Sequence, residues 1–380
     1  MEYITITGKR RLSGRVRVNG AKNAAVAIIP AAIASGDICV IENLPNIEDV
    51  KIQASAIRGL GGVCEVRDEH TLIIDSRNIT RFAMTYDSLK NMRASYYFMG
   101  ALLGRFKRAE VPMPGGCNFG LRPIDYHLKG FEALGAKCEL EHGIMKLSAE
   151  ELTGANIYLD FPSVGATINI MLAAVYATGV TQIENAAKEP HVVDTANFLN
   201  RLGAKIKGAG TDMIRITGVE KLTGGDYTII PDQIEAGTYM IASAITGGDV
   251  TVEGVIPKHM DSLTAKLTEM GCKVTEGDDT IRVVCDGGLQ SCNVKATTYP
   301  GFPTDLQPQI TTLLCSAKGT SVVSETVFEH RFQYVNELKR LGANITVEGR
   351  IAIVEGPCEL TGAQVNATDL RAGVALVIAG

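Results

Sequence analysis

No uninterrupted apolar stretch of about 18 or more residues occurs in this chain, which leaves no candidate for a membrane-spanning helix. A charged-then-apolar leader is also missing before the first strand-like run, Tyr3 to Thr7, so nothing in the sequence marks the chain for export. The nine cysteines, at positions 39, 64, 117, 138, 272, 285, 292, 315 and 358, contain no Cys-x-x-Cys pair and no zinc-type spacing. An odd number of them in a large leaderless chain predicts reduced thiols, a cytoplasmic location and no metal. Positive charge is not in surplus either. A formal net charge of −5 argues against wholesale nucleic-acid binding, though it leaves room for a local basic cleft.

What is present suits a folded enzyme-sized chain. Its 380 residues exceed one ordinary core, and 46% hydrophobic composition is enough to build two, so two domains are expected. Internal repetition then organises the sequence. Leu60-Gly61-Gly62, Leu134-Gly135-Ala136, Leu202-Gly203-Ala204, Met270-Gly271-Cys272 and Leu341-Gly342-Ala343 recur at a spacing of roughly 70 residues. Each predicts a helix end whose glycine is left-handed, whose preceding apolar residue packs inward, and which leads into a strand. Cys64, Cys138 and Cys272 fall inside this element and are expected in the core.

A second recurrent element precedes each of these. It is a small-residue helix opened by a polar cluster and closed by glycine: Ala21 to Gly36, Lys90 to Gly104, Ser163 to Gly179, Asp232 to Gly247, Thr304 to Gly319 and Thr368 to Gly380. Ala, Ile, Leu and Val cover nearly every face of these six segments, which predicts burial all round. Ser163, Asp232, Thr304, Asp305, Thr368 and Asp369 are of the type that caps helix starts. Strands are expected at Ile38 to Glu42, Thr71 to Asp75, Thr181 to Glu184, Thr251 to Glu253, Ile281 to Cys285 and Ser321 to Ser324. Turns at Leu12-Ser13-Gly14, Leu152-Thr153-Gly154, Leu222-Thr223-Gly224 and Leu360-Thr361-Gly362 mark strand entries. Six such units divide into two domains of three, one over 22–229 and one over 1–21 with 230–380. By the repeat spacing, the Leu-Gly element of the sixth unit is expected about 30 residues beyond Gly380.

One stretch does not read as packing. Pro114 to His127 sets Cys117 beside glycine and asparagine, with Arg122, Asp125 and His127 close behind, in a segment without helical or alternating apolar period. Arg122 would favour the thiolate of Cys117, which makes a reactive thiol one reading and a buried small hydrophobe the other. Lys22, Arg93, Arg122, Arg331 and Arg371 lie at or near helix starts, where unpaired N–H groups favour phosphate or carboxylate; as solvated surface charges they would do nothing of the kind. Asp305 is either a helix cap or a general base.

Taken in order, Lys22-Asn23, Met92-Arg93-Ala94-Ser95, Pro114-Gly115-Gly116-Cys117, Arg122-Pro123-Ile124-Asp125, Ser163-Val164-Gly165-Ala166-Thr167, Phe302-Pro303-Thr304-Asp305 and Thr368-Asp369-Leu370-Arg371 resemble the UDP-N-acetylglucosamine 1-carboxyvinyltransferase family of the EPSP synthase superfamily. The likeness runs from Gly8 to Gly380. It implies a two-domain inside-out α/β barrel of six units. It implies transfer of the enolpyruvyl group of phosphoenolpyruvate to the 3-hydroxyl of UDP-N-acetylglucosamine with release of phosphate, the first committed step of peptidoglycan synthesis, hence a role in cell-wall growth, shape and division. No cofactor, nucleic acid or membrane partner is implied, and the oligomer expected is a monomer or weak homo-oligomer.

Carried over position by position, the resemblance makes Cys117 the proton donor to the methylene carbon and the target of the epoxide antibiotic fosfomycin, with Asp305 taking the sugar hydroxyl proton. Lys22 and Arg122 would hold phosphate, Asn23 would meet the reacting centre, and Arg331 and Arg371 would bind the carboxylate side or help close the domains. Asn23, Arg93, Arg122, Pro123, Ile124, Asp125, Tyr126, His127, Ser163, Val164, Gly165, Asp305 and Val327 would take the nucleotide sugar. Two departures stand out. Phe161 occupies a position where some members carry lysine, and the family's last phosphoenolpyruvate arginine falls beyond Gly380. The competing readings are a shikimate 3-phosphate enolpyruvyl transferase, disfavoured by the Cys117 loop and the Arg122–Asp125 stretch, and a non-catalytic homologue that binds UDP-N-acetylglucosamine.

Overall fold

The computed structural model describes residues 3–85, 93–113 and 124–380, with backbone only at 93 and 94. The described chain is mixed α/β and divides into two compact units, one holding the residues up to Asn19 with Pro231–Gly380, the other those from Gly20 to Ile230. Each has its own core.

In the Gly20–Ile230 unit the core is three helices, Lys22–Ser35, Tyr97–Phe106 and Val164–Ala174, whose side chains are buried on nearly every face. Their apolar composition on all sides leaves no face for water, so they pack on one another and the sheets and outer helices enclose them. Close packing needs glycine at one crossing: a Cβ on Gly100 would lie 2.3 Å from the carbonyl oxygen of Asn169, and one on Gly104 2.7 Å from that of Leu172. The other unit has Gln233–Ile245, Gln307–Leu314 and Leu370–Ala379 packed against each other, but burial all round holds only for Gln307–Leu314. Leu370–Ala379 buries Ala372, Ala375 and Leu376 and leaves Leu370 and Val377 exposed, because its outer face has no described neighbour.

After each of five buried helices the chain runs into a strand, an outer amphipathic helix and an antiparallel hairpin. In the first of these, Ile38–Glu42 leads through the helix Glu48–Gly59 to the strands Val63–Asp68 and Thr71–Asp75. The Leu-Gly elements end the outer helices as expected: Leu60, Leu134, Leu202, Met270 and Leu341 are buried, and the following glycines have φ between 93° and 105°. Only glycine takes that backbone without strain.

The strand that enters a unit pairs in parallel with the strand that follows a buried helix. Asn156–Tyr158 pairs so with Val180–Glu184, and Val294–Ala296 with Gly319–Glu325. Two of these pairings join distant parts of the chain, Ser13–Arg17 with Asp249–Glu253 and Gly225–Thr228 with Ile38–Glu42. The resulting sheets have three or four strands, and none among the described residues is closed.

Four expectations are corrected. Tyr3 to Thr7 forms no strand, and Tyr3 and Ile4 stand exposed, because no neighbouring strand takes their backbone groups. Leu360-Thr361-Gly362 opens no strand for the same reason: its parallel partner would follow the helix Leu370–Ala379, and no described residue supplies one. The second buried helix, whose expected start at Lys90 to Met92 lies outside the described residues, is a 3₁₀ turn over Arg93–Tyr96 and runs on to Phe106 rather than stopping at Gly104. Cys138 is only half-buried, since it sits in a solvent-facing hairpin strand, while Cys64 and Cys272 are core residues.

Candidate active site

Helix starts were expected to carry both caps and candidate site residues, and the structure shows which of the cap-type residues cap. Ser163 Oγ accepts from Ala166 N–H at 3.3 Å, Asp232 Oδ1 from Ile234 and Glu235 N–H at 2.7 and 3.2 Å, and Asp369 Oδ1 from Arg371 and Ala372 N–H at 2.8 and 3.1 Å. These are ordinary N-caps. Asp305 is not one. It lies within the 3₁₀ turn Thr304–Leu306 and gives its two carboxylate oxygens to two guanidinium groups, Oδ1 to Arg331 Nη2 at 3.1 Å and Oδ2 to Arg371 Nη2 at 2.9 Å.

The three side chains are poorly accessible, at 25% for Asp305, 3% for Arg331 and 15% for Arg371. Burial works against the charge on Arg371, but the carboxylates of Asp305, Asp232 and Asp369 outweigh it and hold its pKa above the usual arginine value. Arg331 also donates from Nη2 to the Thr304 carbonyl at 3.1 Å, and its guanidinium carbon lies 5.5 Å from the centre of the Phe328 ring. Two fixed cations and one carboxylate thus converge at the starts of the turn Thr304–Leu306, the 3₁₀ turn Arg331–Tyr334 and the helix Leu370–Ala379, all in the Pro231–Gly380 unit. Such a set can hold an anion and accept a proton beside it.

The Gly20–Ile230 unit carries the other described candidates. Lys22, the first residue of its helix, pairs through Nζ with Asp49 Oδ2 at 2.9 Å, and Asn23 beside it is half-buried. Ile124 precedes the helix Asp125–Ala133; Asp125 is exposed and Tyr126 half-buried. His127 turns inward: its Nδ1 is 2.9 Å from Asn169 Nδ2, and its ring meets that of Tyr96 edge-on at 5.1 Å. Asn169 Nδ2 also donates to the Tyr96 carbonyl while Oδ1 accepts from Gly100 N–H, both at 2.8 Å. That network leaves Nδ1 of His127 as an acceptor and puts its proton on Nε2. Val164 and Gly165 are half-buried, and a Cβ on Gly165 would lie 3.0 Å from the His127 ring, so a side chain there would press on that ring. Val327 sits half-buried in the other unit, in the turn after the strand Gly319–Glu325, and Phe161 is half-buried ahead of Ser163. Cys117, Arg122 and Pro123, with the side chain of Arg93, lie outside the described residues.

Sequence reasoning missed Asp49, Asn169, Thr304 and Glu325, each of which holds a candidate residue in place. Their only local signals are ordinary ones, a helix-start acid, a buried polar residue in an apolar helix, a cap-type threonine and a strand-end acid.

With this geometry the comparisons with known proteins become informative. The family model of EPSP synthase (3-phosphoshikimate 1-carboxyvinyltransferase) matches residues 6–380. The chain belongs to this family. A UDP-N-acetylglucosamine 1-carboxyvinyltransferase of Clostridium botulinum is 58% identical over 383 residues, covering all of this chain and 91% of the relative. UDP-N-acetylglucosamine 1-carboxyvinyltransferase 2 of Geobacillus kaustophilus is 58% identical over 380 residues, covering all of this chain and 89% of its own. Among solved structures, the enolpyruvyl transferase NikO of Streptomyces tendae superposes with a TM-score of 0.88 at 27% identity, covering 98% of this chain and 89% of that one. The EPSP synthase of Acinetobacter baumannii, at 20% identity and a TM-score of 0.71, shares the fold over 98% of this chain and 90% of its own.

No group of three or more His, Cys, Asp or Glu able to hold a metal occurs among the described residues, and no described helix is long and apolar enough to cross a membrane.

Proposed function

We propose that this chain transfers the enolpyruvyl group of phosphoenolpyruvate to the 3-hydroxyl of UDP-N-acetylglucosamine, releasing phosphate, in the cytoplasmic phase of peptidoglycan synthesis. The observation that carries the substrate assignment is the 58% identity, over the whole chain, to relatives named for UDP-N-acetylglucosamine. The Asp305–Arg331–Arg371 cluster supports the chemistry. The finer fold assigned is the two-domain inside-out barrel of six units, which the recurrence of buried helix, strand, outer helix and hairpin supports.

In this reading the Cys117 thiol protonates the methylene carbon, which leaves an oxocarbenium-like centre at the carbon bearing the phosphate. The sugar 3-hydroxyl oxygen attacks that carbon while Asp305 takes its proton. Phosphate then departs and a methyl proton is lost, restoring the carbon–carbon double bond on the sugar. An acid on one side and a base on the other are each worth on the order of 10²–10⁴ in rate. Lys22 and Arg122 hold the phosphate, Asn23 meets the reacting centre, and Arg331 and Arg371 bind the carboxylate side or help close the domains. A carboxylate arriving at these two guanidiniums competes with Asp305 for their N–H groups, which frees a carboxylate oxygen for the incoming hydroxyl. Arg93, the run Arg122 to His127, Ser163 to Gly165 and Val327 receive the nucleotide sugar.

The test is phosphate release from phosphoenolpyruvate with UDP-N-acetylglucosamine, with shikimate 3-phosphate, and with neither. Release that requires UDP-N-acetylglucosamine is expected. Release driven by shikimate 3-phosphate would replace the substrate, and binding of the nucleotide sugar without release would replace the enzyme by a binding protein.

A further inference from the structure

Glu325 is a carboxylate buried to 1% exposure at the end of the strand Gly319–Glu325, and it belongs to none of the catalytic or substrate-binding sets assigned above. Its oxygens are fully engaged. Oε2 accepts from Thr304 Oγ1 at 2.8 Å, and Oε1 from the N–H groups of Val327 and Phe328 at 2.7 and 3.2 Å. Burial raises its pKa, against the pull of the Val327 N–H, the Thr304 hydroxyl, the Phe328 N–H and the charge of Arg331.

These contacts close a ring. From Glu325 the path runs through the Thr304 hydroxyl and the next peptide to Asp305, from Asp305 Oδ1 to Arg331, from Arg331 to the face of Phe328, and from the Phe328 N–H back to Glu325. Arg331 braces it by donating to the Thr304 carbonyl. The turn that carries Asp305 is therefore held from its hydroxyl side by one buried acid and from its carbonyl side by one buried cation. A base must sit within a few tenths of an ångström of its line to the hydroxyl, and a 1 Å error can cost about a hundredfold in rate.

We infer that Glu325 is a positioning residue for Asp305, acting through the Thr304 hydroxyl. The inference rests on Asp305 being the base of the reaction proposed above. Glu325→Gln keeps the shape and an oxygen for the two backbone N–H groups but replaces the charged acceptor of the Thr304 hydroxyl by an amide donor, so that contact can persist only reversed and uncharged. Thr304→Val removes the same bond from the other end, and Thr304→Ser keeps it.

The experiment is steady-state phosphate release by the full chain, alongside thermal unfolding of each variant. Glu325→Gln and Thr304→Val are each expected to lower kcat by about tenfold to a hundredfold with little change in either KM. The double variant should be no slower than the slower single one, and Thr304→Ser should recover most of the rate. In an Asp305→Asn background, adding Glu325→Gln should leave the residual rate unchanged. A wild-type kcat in Thr304→Val, or losses that persist undiminished in the Asp305→Asn background, would overturn the inference; should Glu325→Gln fail to fold, the valine and serine variants decide alone. Failure of the underlying reading shows separately, in proteins with Glu325 intact: no release by the wild-type chain, or an Asp305→Asn variant as fast as wild type.

Discussion

Asp305 Oδ2 lies 2.9 Å from Arg371 Nη2, a contact between residues 66 apart in sequence that ties the starts of two buried helices together. Arg331 completes it on the other carboxylate oxygen. Asp305 is the counterion of two guanidiniums, one of them almost without solvent, and in the proposed reaction its charge is also the base. Asp305→Asn should lower kcat by about 10²–10⁴ and also reduce the unfolding free energy by about 3 kcal/mol, because a buried cation loses its partner. Kinetics and urea unfolding on the same preparation check both effects. Loss of rate with no loss of stability would mean that the ion pairs contribute little to the fold.

Asp194 offers a pH-dependent signature away from this cluster. Buried in the other unit, it accepts from Tyr227 Oη at 2.6 Å and from Ile230 N–H at 3.3 Å, yet burial raises its pKa from 3.8 to about 6. The folded state therefore holds this proton more tightly than the unfolded chain. Its contribution favours folding below about pH 4 and is lost as the pH climbs through about 6. Compared with Asp194→Asn, the wild-type unfolding free energy should fall by roughly 3 kcal/mol more across that window. Parallel stability profiles for the two proteins between pH 4 and 7 would remove Asp194 as the source.

How much of this could be read from the sequence depended on how local the cause was. The glycines after Leu60, Leu134, Leu202, Met270 and Leu341 announce left-handed helix ends because the requirement sits in one residue. The buried helices announce themselves because apolar residues cover every face. Tyr3 to Thr7 has strand-like composition, but a strand exists only with a neighbour, and composition carries no information about that neighbour. The site follows the same division. Asp305 could be singled out as a cap or a base, and that its carboxylate faces two guanidiniums instead of capping could not be read locally, because Arg331 and Arg371 lie 26 and 66 residues away. Glu325, one residue past the strand expected at Ser321 to Ser324, gave no signal because Thr304, the partner that ties it to the cluster, lies 21 residues away.

Packing between two core helices predicts opposite results for two glycine substitutions. A methyl on Gly100 would meet the Asn169 carbonyl oxygen at 2.3 Å and Oδ1 at 2.5 Å, and Oδ1 already accepts from the Gly100 N–H at 2.8 Å. Gly100→Ala should therefore destabilise by about 1–3 kcal/mol or more. Gly59 ends the outer helix Glu48–Gly59 with nothing within 4 Å of its hypothetical Cβ. There alanine should stabilise by roughly 0.5–1 kcal/mol. Thermal unfolding of both variants against wild type measures the contrast, and a tolerated Gly100→Ala would mean that the two helices can separate without loss.

The thiols can be ranked by their surroundings. Burial raises the pKa of Cys64 and Cys292 to about 11 and of Cys138 and Cys315 to about 12, and it also raises those of Cys39 and Cys272. At neutral pH these groups hold almost no thiolate, the form that reacts. Cys358 is half-buried and is the nearest competitor among the described cysteines. Cys117, flanked in sequence by glycine and asparagine and followed by Arg122, is the thiol assigned to proton donation. Brief iodoacetamide treatment of the folded protein at pH 7 should therefore modify Cys117 first, as read by peptide mass spectrometry, and Cys117→Ala should abolish that early uptake. The same variant should lose about 10²–10⁴ in kcat while keeping its unfolding midpoint. Early labelling of Cys358 instead, with turnover intact in Cys117→Ala, would remove Cys117 from the chemistry and leave the methylene carbon to another acid.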